Sequence, residues 1–275
     1  MSRLLDRLFR RAPDHSGQLE AAEAAASAGD WAAALEIWGP LAQAGVVAAQ
    51  TRVALCFTQG LGVAPDPVLA AKWLAPAAAA GDPAAQSALA TAYFRGEGVP
   101  EDPGHAAGLY RQAAEAGDAV AQDMLSWMLL EGEIIAPDPE AALTWARAAA
   151  AQGVAAAMTR IGLIHHNALG VDRDAAEAAR WWARAAARGD ADGQAMLGAA
   201  LHMGAGVARD PLMALVWATR AVDGGSPLAA PFLHPIEAAL DPDQIAEARR
   251  RAAEPLPPPP ADPLADPPVM PEARP

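Results

Sequence analysis

The chain has one cysteine, Cys56, so no intramolecular disulfide framework is open to it. It has one lysine, Lys72, and its acidic residues outnumber its basic ones enough to leave a net charge of −13. That balance argues against nucleic acid as a partner, because phosphate recognition needs a surplus of lysine and arginine. Aromatic residues make up only 5% of the 275 residues, which disfavours a sandwich or barrel core. No stretch approaches the roughly 18 apolar residues of a membrane span. The first twelve residues carry arginines with no apolar run behind them, so they do not read as a signal peptide, and a cytoplasmic location is expected. The catalytic patterns are also missing. There is no His-Glu-x-x-His, no Cys-x-x-Cys, no phosphate-binding glycine loop, and no serine followed three residues later by lysine. Neither an enzyme activity nor a cofactor is expected.

What the sequence does have is alanine and a period. Hydrophobic residues make up 53%, and alanine supplies much of that. Alanine is the best helix former, and its small side chain lets helices pack closely. Glycines recur every 36 residues at Gly45, Gly81, Gly117, Gly153, Gly189 and Gly225. Aspartates keep the same step at Asp66, Asp102, Asp138, Asp174 and Asp210. Alanines do so at Ala34, Ala70, Ala106, Ala142, Ala178 and Ala214, and tryptophans at Trp73, Trp145, Trp181 and Trp217. Four registers in phase mean a repeat architecture.

Each repeat reads as two helices. In the unit from Asp82 to Gly117, helix A runs from Pro83 to Arg95, with Ala85, Leu89, Ala90 and Tyr93 at helical spacing. Gly96-Glu97-Gly98-Val99 breaks it, and a glycine there can take the positive φ that ends a helix. Asp102 is the expected N-cap of helix B, with Pro103 at its first position, where a missing N–H costs nothing. Asp66-Pro67, Asp138-Pro139 and Asp210-Pro211 repeat the pair, while Asp174-Ala175 keeps only the cap. The repeated tryptophans are expected in the core. Trp182, one residue out of register, is expected to be partly exposed.

The pattern resembles the Sel-one-like repeat, a relative of the tetratricopeptide repeat. The resemblance rests on Ala85, Leu89, Tyr93, Gly96-x-Gly98-Val99, Asp102, Ala106 and Ala113-Ala114 before Gly117. It rests also on Gly60-x-Gly62-Val63 and Gly204-x-Gly206-Val207. The middle unit departs with Gly132-Glu133-Ile134-Ile135 and the fourth with Ala168-Leu169-Gly170-Val171, so remodelled turns are expected there. The resemblance implies an all-α fold, a right-handed α-solenoid of stacked helix–turn–helix repeats. It also implies a non-catalytic scaffold or adaptor of bacterial type.

The expected organisation has five parts: an amphipathic segment over 1–16, a short tetratricopeptide-like pair over 17–45, five repeats over 46–225, capping helices over 226–254, and a disordered proline-rich tail over 255–275. In the first part, Leu4, Leu5, Leu8 and Phe9 oppose Arg3, Arg7, Arg10 and Arg11, a pattern that suits a leading segment or a peripheral membrane contact. In the last, ten of 21 residues are proline.

A solenoid offers a concave face made mostly of A helices. Positions on that face that differ from repeat to repeat are free to carry specificity. They give the candidate site: an apolar centre at Met124, Trp127 and Met128, flanked by Arg52, Arg95 and Arg160, with Asn167 and Met196 further along. The alternative reading is that Trp127 and the methionines pack between adjacent A helices. Tryptophan and arginine are enriched at binding hot spots, and methionine adapts to irregular ligands. The partner is read as a protein or peptide. His165-His166 is read as a core residue and its neighbour, because adjacent helical residues chelate one metal poorly.

Overall fold

The structure, a computed structural model, describes residues 14–257. The described residues form fourteen helices joined by short turns, with no strand among them. A first pair, α1 (Ser16–Ser27) and α2 (Trp31–Gln43), precedes five repeats. Their A and B helices are α3 (Val47–Gln59) and α4 (Pro67–Ala79), α5 (Pro83–Arg95) and α6 (Pro103–Glu115), and α7 (Ala119–Glu131) and α8 (Pro139–Ala151). They continue with α9 (Ala155–Asn167) and α10 (Ala175–Ala187), then α11 (Ala191–Met203) and α12 (Pro211–Asp223). The short α13 (Ala230–Glu237) and α14 (Pro242–Ala253) follow. The fold class is all-α, an α-solenoid of successive helix pairs. The chain divides into two compact units, Met1–Leu109 and Tyr110–Pro275.

The repeated aspartates act as the sequence requires. Asp66, Asp138, Asp174 and Asp210 accept a hydrogen bond from the amide three residues on, and Asp102 does the same from His105. Each such cap is worth about 1 kcal/mol. The amide of each capping aspartate also donates back across the turn to the last stretch of helix A: Asp102 to Tyr93, Asp138 to Leu129, Asp174 to His165 and Asp210 to Leu201. All these turns therefore end alike at the capping aspartate. The middle turn is remodelled, as expected: Gly132 takes the left-handed conformation but Ile134 does not, whereas Gly62, Gly98, Gly170 and Gly206 all do. The fourth turn keeps the common pattern, with Ala168 in the left-handed conformation at φ 58°. A non-glycine residue there is strained by about 1–2 kcal/mol.

The second glycine of each G-x-G turn has a packing reason that the sequence reading lacked. A Cβ on Gly98 would lie 2.1 Å from the carbonyl oxygen of Pro67, and one on Gly206 would lie 1.9 Å from that of Ala175. Pro67 and Ala175 are the first residues of α4 and α10. The turn of one repeat thus presses on the start of the preceding B helix.

In the second unit the core runs along the A–B crossings. Ser126 donates to the carbonyl of Ala142 at 2.8 Å, and Gly198 approaches Ala214 and Ala218 closely. Small residues hold this register in every A helix: Ala54, Ala90, Ser126, Gly162 and Gly198. Gly162 leaves room for Trp182, whose indole N–H donates to the carbonyl of Thr159 at 3.3 Å. Trp182 is therefore core, at 3% exposure, and not partly exposed as its offset register suggested.

A further register escaped the sequence reading. Gln50, Gln86, Gln122 and Gln194 are buried, and each donates its amide N–H to a carbonyl near the end of the preceding B helix (α2 for Gln50), at 3.2 Å. The fourth repeat has Met158 at this position. A buried amide that finds its partner ties one helix pair to the next without leaving an unpaired group. At the end of the fold, Asp241 and Gln244 form a reciprocal capping box. Arg220 donates to the carbonyls of Arg251 and Glu254, satisfying the end of α14. Most of the N-terminal amphipathic segment (1–13 of 1–16) and most of the proline-rich tail lie outside the described residues.

Candidate functional site

The candidate residues fall in both compact units. In the first, Arg52 pairs with Glu23 at 2.7 Å and Arg95 with Glu97 at 3.8 Å, on side chains about half exposed or more. Exposed pairs of this kind are worth little in stability.

The second unit gathers more. Its A helices α7, α9 and α11 lie side by side in succession. Between them is a cleft of about 230 Å³. Trp127, Leu130 and Glu131 of α7 form one wall. Ala156, Thr159, Arg160 and Leu163 of α9 form the floor and the other wall, and Asp190 and Asp192 close it from the start of α11. Trp127 and Leu163 are half-buried, while Glu131 and Asp192 are exposed.

Polar contacts hold the cleft in shape. Arg160 makes an ion pair with Asp123 on α7, and both side chains are only about 15% exposed, at 14% and 15%. The Thr159 hydroxyl donates to Asp190 at 2.6 Å, while Asp190 caps α11 by accepting from the Gly193 amide at 2.7 Å. The Ser226 hydroxyl donates to Asp192 at 2.6 Å. A site preset by its own hydrogen bonds loses less entropy on binding than a mobile one.

Trp127 and Arg160 both line this cleft. Met128 is not at the surface. It is fully buried, because it falls on the side of α7 that packs inward with Leu125 and Leu129, so its placement in the apolar centre is corrected. Met124 is half-buried and Asn167 exposed, both outside the cleft lining. Met196 packs against the core cluster around Leu197 and Leu215. The flanking arginines are engaged by carboxylates and are not an open cationic rim. The sequence reading did not single out Asp190 and Asp192, although Asp190 shares its register with the caps Asp82 and Asp118.

Other chemistry was sought elsewhere. Burial pushes the Cys56 thiol up, against a smaller opposing effect of Arg52. His165 holds the interior register of Phe57, Tyr93, Leu129 and Leu201, and His166 lies 5.4 Å from the Trp182 ring. Among the described residues no group of three or more His, Cys, Asp or Glu side chains is placed to hold a metal ion. Nor is any of the described helices long and apolar enough to cross a membrane.

Comparisons with known proteins bear on the repeat and the fold. The model of the Sel1 repeat matches residues 47–82, 83–118, 119–154, 155–190 and 191–226. A crystal structure of a Sel1 repeat protein from Oxalobacter formigenes is similar at a TM-score of 0.74 and 25% identity, over 86% of this chain and 97% of that one. A Sel1 repeat protein from Klebsiella pneumoniae aligns at a TM-score of 0.47 and 22% identity, over 73% of this chain and 97% of its own. A protective antigen of uropathogenic Escherichia coli with an SLR fold aligns at 0.44 and 24%, over 87% and 68%. No curated protein matches. Proteins built from Sel1 repeats are generally protein-interaction scaffolds and typically not enzymes. With five matched repeats over most of its length, the chain belongs to the Sel1-repeat family.

Proposed function

We propose that this chain is a non-catalytic scaffold that holds a peptide or protein segment of a partner against its A helices, centred on the cleft at Trp127. One observation carries the reading. The cleft breaks the repeat: its lining positions hold Trp127, Glu131 and Arg160, where the corresponding residues of the last repeat are Ala199, Met203 and Met196. The buried alanine register keeps one residue in every repeat, and the half-buried and exposed positions of the cleft do not. A half-buried tryptophan beside a preset polar frame has the composition of a binding hot spot.

Of the residues proposed from sequence, Trp127 and Arg160 form the centre, and Met124, Asn167 and Met196 lie on neighbouring turns of the same A helices. Arg52 and Arg95 belong to the first unit, apart from this cleft, and are proposed as partner contacts of that unit alone.

The test is selection of displayed random peptides against the full chain and against its Trp127→Ala variant. The reading expects peptides that bind the wild type and are lost with Trp127→Ala at an unchanged melting temperature. Peptides enriched equally on both proteins would move the site elsewhere, and an empty selection would count against peptide binding.

A further inference from the structure

The charges around the cleft say more about what it would hold. We infer that the bound segment is cationic, an arginine- or lysine-bearing amphipathic stretch of a partner protein; this rests on the scaffold reading above.

The cleft has one basic lining residue, Arg160, and Asp123 already neutralises it. Three carboxylates remain at its edge. Asp190 is engaged by Thr159 and by the α11 amide. Glu131 and Asp192 are exposed, and Asp192 accepts from the Ser226 hydroxyl while keeping its charge. The local balance is therefore negative, on a chain that is itself strongly acidic, and such a field draws cations toward the cleft and raises their rate of encounter.

The position of Glu131 is a separate clue. It is the last residue of α7, where the negative end of the helix dipole disfavours a carboxylate. The equivalent positions in the other repeats are Gln59, Arg95, Asn167 and Met203, none of them acidic. The fold alone gives no reason for an acid there, whereas a cationic ligand does.

The apolar lining fits the same ligand. The methylene stem of an arginine or lysine packs on leucine and tryptophan while its head reaches a carboxylate. Trp127, Leu130 and Leu163 offer that surface, with Glu131 at the rim of the same helix. An arginine over an indole face is a favourable arrangement in its own right, and the chain uses it elsewhere, with the Arg184 guanidinium 4.6 Å from the Trp181 ring.

The experiment titrates the full chain with three labelled synthetic helical peptides that share one leucine and alanine face and carry arginine, glutamine or glutamate on the other. The arginine peptide is expected to bind with one site and at least about tenfold tighter than the glutamine peptide, and to weaken by roughly tenfold between low and moderate salt. Glu131→Lys should weaken it by about tenfold or more while melting no lower than wild type, because lysine suits a helix C-terminus. The same variant should gain affinity for the glutamate peptide.

Equal binding of all three peptides, or arginine-peptide binding unchanged by Glu131→Lys, would overturn the inference. So would binding of none, and in each case the peptide selection above decides the scaffold reading independently. Self-association of the full chain that vanishes when Arg3, Arg7, Arg10 and Arg11 are changed to glutamate would also overturn it, making a second copy the occupant.

Discussion

Two sides of the A helices in the second unit use the 36-residue period differently. On the inner side, Ser126, Gly162 and Gly198 follow one another in register, each against the helix B of its own repeat. On the side toward the cleft, Trp127, Leu163 and Ala199 occupy one register, and Glu131, Asn167 and Met203 another. The inner register holds only small side chains because the facing helix B fills the space, with its backbone at Gly198 and with the Trp182 ring at Gly162. The outer registers meet no such limit, and their residues differ in size, polarity and charge. Where repetition breaks at a half-buried or exposed position, as at Trp127 and Glu131, the fold leaves the residue free to vary.

The contrast is sharpest where an inner position is emptied. Trp182 is almost fully buried between α9 and α10, so Trp182→Ala should destabilise the second unit by about 3–5 kcal/mol, measured by urea unfolding. A loss below 1 kcal/mol would mean that the A–B crossings collapse around the gap.

A smaller effect is expected from Gly206→Ala. It adds a Cβ against the Ala175 carbonyl at a residue with φ of 73°. A loss of about 2 kcal/mol or more is predicted, with faster amide exchange at the start of α10. Unchanged exchange there would show that the turn does not press on the preceding repeat.

The turn after α9 supplies the smallest effect and the opposite sign. Ala168 occupies a left-handed position that Gly60, Gly96, Gly132 and Gly204 hold in the other repeats. Ala168→Gly should stabilise the chain by roughly 0.5–1 kcal/mol, since relief of strain exceeds the entropy of the added glycine. A loss on the same unfolding curve would mean that the alanine methyl is needed for packing.

Much of this was legible in the sequence, for identifiable reasons. The aspartate caps, the prolines after them and the glycine turns depend on local backbone geometry, which a sequence period reports directly. The first helix pair, turned at Gly29-Asp30, and the capping box at Asp241 follow from the same local rules. The buried glutamines were equally periodic, but a polar residue in a helix gives no local sign of whether it faces water or a neighbour's carbonyl.

The site was legible only in part. Trp127 stood out because tryptophan broke its register. Met128 was misplaced because one helical step, about 100°, separates the cleft from the core, and hydrophobicity alone does not tell the two sides apart. Asp190 and Asp192 entered the cleft from the next repeat, a proximity made by stacking and not by spacing along the chain. The pairing of Arg160 with Asp123 across two A helices inverted the expected charge of the surface from basic to acidic.

The most direct test of the division between the two sides compares Trp127→Ala with Trp182→Ala in the full chain, each measured for peptide binding and for melting. The account predicts that Trp127→Ala loses binding of the selected or arginine-bearing peptide by about tenfold or more while melting within a few degrees of wild type, and that Trp182→Ala melts far lower. A Trp127→Ala chain that melts as low as Trp182→Ala, or that binds peptide as well as wild type, would contradict it.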